Sequence, residues 1–423
     1  MFTAKLGETL VWHRSGAVTR GGLLHAAGQL GRRLPPASCC INLCEGRLAF
    51  MIALLATAQR GALTLLPHSR APGAVARLQS AYPDAVTLDD ACLRDLDWHG
   101  DETQEPAIDT RRTSLALFTS GSTGAPVEHR RSWASLLAAA DLDVKRFAGE
   151  RPLNLVATVP AQHMFGLQTT VLMPMRSHCA VHDGRPFFPA DIAATLAEVP
   201  APRALVSTPA HLRACLAVGL ALPPVEFVLS ATAPLAEELA RRAEQHWQAP
   251  VLEIYGSTET GTVGTRRTAA GELWQLPPGA RLVADGDAWR LHTAYLPDGA
   301  PLGDRIEPGD GGRFRLLGRS HEQVKIAGKR IALGDLTQAL LAVDGVEDAV
   351  AFLPPDATRT AALVIAPRLD ARAILGALAT QIDPVFLPRP LVLVPALPRD
   401  ALGKLRLTEL PALLELHRDR HAR

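Results

Sequence analysis

The chain has 423 residues and a mass of 45.2 kDa, a length that favours two or three domains over one. Hydrophobic residues make up 47% and charged residues 21%, which argues against a disordered or a fibrous protein. The 44 lysines and arginines nearly balance the 43 aspartates and glutamates, so no strong charge attracts nucleic acid or an anionic membrane.

The first hundred residues contain apolar segments that we interpret as parts of a core. Residues 1–5 lack the apolar stretch of a signal peptide, so we expect a cytoplasmic protein. Cys39, Cys40 and Cys44 lie in a strand-like stretch, and we favour small core residues over metal or redox groups. Segment 48–58 is too short to span a bilayer and predicts a buried helix.

The middle of the chain alternates short apolar runs with helix-like segments, which predicts a layered α/β fold. The predicted strands are 114–118, 153–159, 204–207, 225–230 and 251–254, and 132–147 is a predicted helix. The last hundred residues differ, with a predicted strand pair at 346–353 and 360–365 and a helix at 371–381. We therefore predict a large N-terminal α/β domain over 1–318 and a small mobile α+β domain over 319–423.

A loop rich in hydroxyl groups and glycine directly follows the predicted strand 114–118. It consists of Thr119, Ser120, Gly121, Ser122, Thr123 and Gly124. Glycine lets the backbone approach a ligand closely, and hydroxyl and backbone N–H groups donate to phosphate oxygens. Taken alone, such a loop is more often a flexible surface turn, but its position between a predicted strand and a predicted helix makes a phosphate site equally plausible.

Three further segments follow this loop in a fixed order. They are Tyr255-Gly256-Ser257-Thr258-Glu259-Thr260, the glycine- and lysine-containing stretch 318–331, and Pro398-Arg399-Asp400-Ala401-Leu402-Gly403-Lys404-Leu405-Arg406. Together with the loop they resemble the adenylate-forming superfamily of acyl- and aryl-CoA synthetases, peptide-synthetase adenylation domains and luciferases. The resemblance spans about residues 110 to 410.

The resemblance implies an enzyme that activates a carboxylic acid with ATP. The acid attacks the α-phosphorus, pyrophosphate leaves, and a thiol then displaces AMP from the acyl-adenylate. The implied phosphate contacts are Thr119 to Gly124 for the β- and γ-phosphates and Thr258 for the α-phosphate. Glu259 is the implied Mg²⁺ ligand, although a carboxylate at a helix N-terminus is the simpler alternative.

The nucleoside contacts implied by the resemblance come from four segments of the chain. Tyr255 would stack on adenine, with Gly256 and Ser257 beside it. Thr232, Ala233 and Pro234 would surround the base. Asp304 would bind the ribose hydroxyls, and Arg319 would lie near the ribose. The alternative for Asp304 is an aspartate that caps a turn. These assignments predict one nucleotide site built from distant parts of the sequence.

The resemblance also implies that the C-terminal domain rotates during the reaction. Lys404 is the implied catalytic lysine for adenylation, with Thr258 and His163 beside the reacting groups, and His321 occupies the hinge position. The family's phosphate loop usually continues with Pro-Lys, but here Val127 stands in place of the lysine. Either Arg130 or Arg131 is a candidate for the missing charge, and the alternative is that the loop functions without it.

The resemblance also implies a second group of residues, which binds the acid. His163 should lie where the acid approaches, with Phe165, Gly166, Ser230 and Gly256 around the pocket, although a core histidine is the alternative for His163. The short N-terminal part and the segment 162–167 resemble compact ligases of aryl-polyene and xanthomonadin-type pathways. That resemblance implies 3- or 4-hydroxybenzoate, or a related aryl acid, loaded onto an acyl carrier protein.

Several alternatives remain open from the sequence. A medium-chain fatty acid is the alternative substrate, and free CoA is the alternative acceptor. A non-catalytic nucleotide-binding scaffold and an adenylate-forming enzyme that makes no thioester are the alternatives of other classes. We expect ATP and Mg²⁺ as cofactors, no membrane span, no nucleic-acid partner, and a monomer or weak dimer.

Overall fold

The structure is a computed structural model that describes residues 2–100, 102–120, 126–286, 288–319, 323–326, 329–355, 357–399 and 405–418. The first elements are β1 (Thr9–His13), β2 (Gly16–Thr19), α1 (Arg20–Arg33), β3 (Cys39–Asn42), α2 (Arg47–Gln59), β4 (Leu63–Leu66), α3 (Pro72–Ala81) and β5 (Val86–Leu88). They are followed by β6 (Thr113–Ser120), β7 (Pro126–Ser132), α4 (Trp133–Asp143), β8 (Asn154–Ala157), α5 (Met164–Leu167), α6 (Met173–Met175) and β9 (Ala180–His182).

The central elements continue the alternation of strands and helices. They are α7 (Pro189–Glu198), β10 (Arg203–Ser207), α8 (Pro209–Ala217), β11 (Phe227–Ser230), α9 (Glu237–Trp247), β12 (Val251–Ser257) and β13 (Gly261–Arg267). Shorter strands follow, namely β14 (Trp274–Gln275), β15 (Arg281–Asp285), β16 (Ala288–Thr293), β17 (Leu296–Pro301), β18 (Asp304–Pro308) and β19 (Arg313–Arg319). The last elements are β20 (Gln323–Ile326), β21 (Lys329–Ala332), α10 (Leu333–Leu341), β22 (Asp348–Phe352), β23 (Ala361–Ile365), α11 (Ala371–Leu378), β24 (Leu391–Leu393) and α12 (Leu410–Arg418).

Two sheets form the framework of the large domain. Within the described part of the chain, the larger sheet has the strand order β18-β19-β14-β13-β12-β11-β10-β8-β9-β1-β2, and the other has the order β5-β3-β4-β6-β7. The strands β8, β10, β11 and β12 run parallel, so their carboxyl ends meet at one edge of the sheet. In such sheets ligands bind beyond the carboxyl ends of the strands. The predicted layered α/β fold is therefore confirmed.

The two faces of the large sheet pack into different hydrophobic clusters. Leu229 and Val206 belong to the cluster that also contains most of α2, whereas Val228 and Leu205 pack against α8 and α9. Successive residues of a strand point to opposite faces, so the two sets alternate along each strand. A strand that is buried on both faces has apolar residues at successive positions, which accounts for the continuous apolar runs in the sequence.

The predicted helix 48–58 lies within α2, whose residues from Arg47 to Ala58 are buried. Cys39, Cys40 and Cys44 are buried as well, which confirms them as core residues. None of the helices in the described ranges is long and apolar enough to cross a membrane.

Arg47 is a buried guanidinium that fixes the end of β8. Its Nη2 donates to the carbonyl oxygens of Ala157 at 2.9 Å and Val159 at 2.6 Å. Burial lowers the pKa of Arg47 to about 10, which still leaves the side chain charged at neutral pH. The chain that leaves β8 toward His163 is thereby held at its first residues.

A smaller domain follows the large one. The strands β22, β23 and β24 form its sheet, and residues 331–414 supply two hydrophobic clusters on either side of it. The predicted strand pair and the helix 371–381 correspond to β22, β23 and α11. The predicted boundary at 318/319 stays a prediction, because residues 320–322 lie outside the described residues.

Candidate active site

The β6–β7 hairpin carries the predicted phosphate contact Thr119. Leu117 pairs with His129 and Thr119 pairs with Val127, so these side chains share one face of the hairpin. The Oγ1 atom of Thr119 lies 3.0 Å from Nε2 of His129. Arg131 follows on the same face two residues later.

Glu259 lies directly beside this hairpin. Its Oε1 is 3.3 Å from Nε2 of His129, and the guanidinium of Arg131 donates to the backbone carbonyls of Thr258 and Glu259. The contacts join two stretches of sequence about 130 residues apart. They place the predicted phosphate contact and the predicted metal ligand at one site.

The carboxyl group of Glu259 is held in its charged form. Partial burial would raise its pKa, but a hydrogen bond from Ser257, a backbone N–H, and the charges of His129 and Arg131 outweigh this effect. The net result is a pKa below the ordinary value for glutamate. The side chain remains 43% exposed, so an ionised carboxylate faces the solvent-accessible side of the site.

The structure distinguishes Arg130 from Arg131, which the sequence did not. Arg130 lies on the opposite face of β7, where its Nε is 2.7 Å from Glu128 and its Nη2 is 3.3 Å from the hydroxyl of Tyr82. Arg131 lies on the face of His129, although its described hydrogen bonds go to the Thr258–Glu259 backbone. Of the two, only Arg131 has its guanidinium at the candidate site.

The β12–β13 hairpin shapes the Tyr255–Thr260 segment. A Cβ atom at Gly256 would lie 2.2 Å from the carbonyl oxygen of Gly261, and Gly261 itself has a φ of +65°. Only glycine permits this close approach of two backbones. The Oγ1 of Thr260 accepts from the backbone N–H of Ser257 at 3.1 Å, which closes the turn between the strands.

Tyr255 and Asp304 form the predicted nucleoside side of the site. The hydroxyl of Tyr255 donates to Oδ2 of Asp304 at 2.6 Å, and its ring lies 5.6 Å from Trp274 and 6.1 Å from Phe314. Asp304 pairs with Arg319 across β18 and β19. The adenine-stacking and ribose-binding candidates are therefore in direct contact, although they are 49 residues apart.

The segment after β11 contains the other adenine candidates. Thr232 has a φ of +77°, a conformation that non-glycine residues rarely adopt and that often occurs at functional sites. Thr232 and Ala233 are half-buried, and Pro234 is exposed. This turn leaves the sheet at the edge where β12 also ends.

Ser230 does not join the acid-site candidates in the structure. It is completely buried and lies two residues after Val228, on the face that packs against α8 and α9. Phe165 packs against the cluster on the other face. The side chains of Ser230 and Phe165 therefore lie on opposite sides of the sheet.

His163 lies immediately before α5 in an extended conformation and is half-buried. A Cβ atom at Gly166 would lie 2.0 Å from the carbonyl oxygen of Pro160, so the helix packs against the preceding turn. Phe165 is half-buried at the start of the same helix. The predicted acid contacts His163, Phe165 and Gly166 thus form one short segment at the end of β8.

Some predicted residues lie outside the described residues. They are Gly121, Ser122, Thr123, Gly124, His321 and Lys404. For Ser120 and Arg319 the backbone alone is described. The predictions for these residues stay predictions.

His129 is a site residue that the sequence reasoning missed. It stands two residues after Val127, and the β6–β7 hairpin brings it between Thr119 and Glu259. The alternation of Val127, His129 and Arg131 along β7 was the available signal. That signal needs the hairpin register, which the sequence alone did not supply.

The site fits a magnesium ion that is bound partly by phosphate oxygens. Magnesium is usually held by one or two carboxylates together with substrate phosphates, rather than by a complete set of protein ligands. Glu259 supplies one ionised carboxylate at the site. Across the described ranges, no three His, Cys, Asp or Glu side chains are grouped to hold a metal by themselves.

Comparison with known proteins identifies the family. The profile of the family described as AMP-binding enzyme matches residues 40–299, which include Thr119, His129, Tyr255 and Glu259. The chain belongs to this family. The resemblance found in the sequence motifs is thus confirmed at the level of the family.

Several of the relatives are named as CoA ligases of aromatic acids. The chain is 31% identical over 239 residues to a 4-coumarate–CoA ligase of Rhodobacter capsulatus. The aligned residues make up 56% of this chain and 59% of that protein. It is 29% identical over 322 residues to a 4-coumarate–CoA ligase of Halorhodospira halophila, with 73% and 79% covered. A benzoate CoA ligase structure from Burkholderia xenovorans LB400 is similar with a TM-score of 0.78 and 19% identity, covering 96% of this chain and 97% of that one.

Proposed function

We propose that this protein activates an aromatic carboxylic acid with ATP and transfers the acyl group to a phosphopantetheine thiol. The observation that carries this proposal is the cluster of Thr119, His129 and Glu259 beside the Tyr255–Asp304 pair. The cluster lies in a chain of the AMP-binding enzyme family. It combines a carboxylate for a phosphate-bound cation with an aromatic ring and a carboxylate for a nucleoside.

Adenylation brings two anions together, since an acid carboxylate attacks the α-phosphorus of ATP. Fixed hydrogen-bond donors and positive charge lower the cost of this approach. In our proposal Thr119 to Gly124 and Thr258 contact the phosphates, and Glu259 holds Mg²⁺. When bound, Mg²⁺ would supply positive charge that offsets the negative charge of the phosphates. His129 keeps Glu259 oriented, and Arg131 fixes the backbone that carries it.

The nucleoside is bound in this proposal by Tyr255 and Asp304. The tyrosine ring stacks on adenine, with Gly256, Ser257, Thr232, Ala233 and Pro234 around the base. Asp304 accepts hydrogen bonds from ribose hydroxyls, with Arg319 nearby. The 2.6 Å hydrogen bond from Tyr255 to Asp304 supports this arrangement, because it orients both side chains before ATP binds.

The acid is proposed to be aromatic. Relatives named as 4-coumarate–CoA ligase and 4-chlorobenzoate–CoA ligase support this class. His163, Phe165, Gly166 and Gly256 are the proposed contacts. Within the class, 3- or 4-hydroxybenzoate is our specific proposal from the resemblance to pigment-pathway ligases, and a fatty acid is the alternative.

The thiol acceptor is phosphopantetheine, which CoA and acyl carrier proteins share. The names of the relatives support free CoA. The resemblance of segment 162–167 to pigment-pathway ligases supports a carrier protein instead. In both cases Lys404 acts in adenylation, and a rotation of the C-terminal domain near His321 then admits the thiol.

We also propose a cytoplasmic location. All six cysteines are free thiols in the structure, and five of them are buried. Disulfides form mainly in oxidising compartments, so free cysteines are compatible with a reducing one.

ATP–pyrophosphate exchange with benzoates, cinnamates and fatty acids tests the proposed function. We expect exchange with an aromatic acid, strongest with a hydroxybenzoate or a hydroxycinnamate. Mass spectrometry of the product formed with CoA and with an acyl carrier protein then identifies the acceptor. No exchange with any acid would favour a non-catalytic nucleotide-binding scaffold, and exchange without thioester would favour an enzyme with another second step.

A further inference from the structure

One arginine of the large domain makes a direct polar contact with the small domain. Arg213 lies on α8, and its Nη1 donates to the backbone carbonyl of Glu347 at 2.7 Å. The same atom is 3.5 Å from Oδ1 of Asp348, the first residue of β22. Arg213 and Asp348 are 27% and 15% exposed, so the pair is largely shielded from water.

Asp348 also binds an arginine of its own domain. Arg399 donates from Nε to Oδ2 at 2.9 Å and from Nη2 to Oδ1 at 2.7 Å. This two-point geometry fixes the orientation of both side chains. The carboxylate of Asp348 thus connects α8 of the large domain with the Pro398–Arg406 segment of the small one.

Arg399 lies at the base of the segment that contains Lys404. Its backbone pairs with Leu405, and the N–H of Arg406 donates to the carbonyl of Pro398 at 2.8 Å. Lys404 directly precedes Leu405 in the sequence and lies outside the described residues. The inference therefore concerns the docking of the Arg399–Leu405 pair, which flanks Lys404 in the chain.

We propose that Arg213 is a positioning residue that, through Asp348 and Arg399, docks the base of the Lys404 segment on the large domain for adenylation. The inference rests on the proposed function, because it takes Lys404 as the adenylation lysine. Helix α8 begins two residues after the end of β10, at the sheet edge where β12 also ends. Docking at α8 therefore holds Arg399 beside a helix that begins at the edge of the sheet where the candidate site lies.

In this inference the contact favours the described domain orientation, because a rotation of the small domain separates Arg213 from Asp348. A contact shifts a conformational equilibrium by the amount that it differs between the two states. When the small domain rotates, Arg213 loses Asp348, whereas Arg399 moves with Asp348 and keeps it. Arg213 is thus the member of the triad whose removal changes the docking and leaves the internal Arg399–Asp348 pair in place.

The first experiment compares the two half-reactions in Arg213→Ala and Arg213→Lys. We expect Arg213→Ala to slow ATP–pyrophosphate exchange about fivefold, the loss of one shielded ion pair. Thioester formation from supplied acyl-adenylate should change less than twofold. Arg213→Lys should recover part of the exchange rate. The control is Arg242→Ala, which removes an exposed arginine from the neighbouring α9.

The outcomes separate this inference from the proposed function. Unchanged exchange in Arg213→Ala, an equal loss in both half-reactions, or a loss confined to thioester formation would each overturn the inference. No exchange by the wild-type protein with any acid contradicts the proposed function instead.

The second experiment tests docking without any substrate. Spin labels at Gln245→Cys on α9 and Arg372→Cys on α11, in a Cys92→Ser background, report the distance between the two domains. We expect a narrower distance distribution in this labelled protein than in its Arg213→Ala derivative. Identical distributions would overturn the inference, whatever the activity of the enzyme.

Discussion

His129 Nε2 lies 3.3 Å from Oε1 of Glu259 and 3.0 Å from Oγ1 of Thr119. One imidazole therefore contacts both the end of the β6 strand and the carboxylate that follows β12. Both partner atoms can accept a hydrogen bond, so a proton on Nε2 satisfies the geometry. The relationship makes His129 a positioning residue for the proposed metal ligand.

Replacement of His129 by alanine should weaken MgATP binding. Glu259 loses a partner that orients its carboxylate, and we expect the KM for MgATP in the exchange reaction to rise about tenfold, as for other groups that support a metal ligand. The matched control is Glu128→Gln, because Glu128 lies on the opposite face of β7 and binds Arg130. Equal effects of the two substitutions would contradict the role given to His129.

Lys404→Ala should abolish adenylation and spare the second step. The ammonium group is proposed to contact the acid and the α-phosphate as charge develops, so exchange should fall at least about a hundredfold. Thioester formation from supplied acyl-adenylate should remain largely intact. The two rates are compared by pyrophosphate exchange and by thiol consumption, and a parallel loss of both would exclude the assignment.

The parts of the site that the sequence predicted are those whose residues are neighbours in the chain. The strand before Thr119 and the strands around β12 follow from local apolar patterns, whereas the Tyr255–Thr260 segment was identified by its resemblance to the adenylate-forming superfamily. The choice between Arg130 and Arg131 required the β6–β7 register, because a shift of one residue exchanges the two faces. Ser230 shows the same limit, since its position near the site does not reveal which face its side chain occupies.

Contacts between distant segments were outside the reach of the sequence. Nothing local to Arg213 or Asp348 indicates that they meet, because their approach depends on how two domains dock. Tyr255 and Asp304 were both predicted at the nucleoside, but their direct hydrogen bond depends on how β18 and β19 join the large sheet. These features depend on tertiary packing and not on periodicity.

Gly256→Ala should disturb the β12–β13 hairpin. The new methyl group would meet the carbonyl oxygen of Gly261 at 2.2 Å, and a backbone atom has little freedom to move away. We expect a loss of about 2 kcal/mol in the free energy of unfolding, together with a strong loss of exchange activity. Gly376→Ala is the control, because a Cβ atom there meets nothing within 4 Å and lies in α11. A Gly256→Ala protein as stable and active as the control would contradict this account.

Asp143→Asn should remove a pH dependence of stability. The carboxyl of Asp143 is 2% exposed, and burial raises its pKa from 3.8 to about 7. Between those values the unfolded chain ionises and the folded protein does not, so stability decreases as the pH rises. The total decrease is on the order of 4 kcal/mol, from about 1.4 kcal/mol for each pKa unit.

Urea unfolding of the wild type and of Asp143→Asn at pH 4 to 8 checks this prediction. The stability of the variant relative to the wild type should increase from pH 4 to pH 7 and then stay constant. The Asp141→Asn protein is a control, since Asp141 lies two residues away in the same helix and forms an ion pair with Arg176. A difference between variant and wild type that is independent of pH would contradict the assigned protonation.

The ion pair between Arg213 and Asp348 connects the two domains. The Arg213 side chain is 27% exposed and the Asp348 side chain is 15% exposed. Salt screens exposed charges over about 8 Å at physiological ionic strength, but a largely shielded pair is screened much less. We therefore expect the proposed docking of the small domain to persist in potassium chloride solutions that weaken ion pairs at the protein surface.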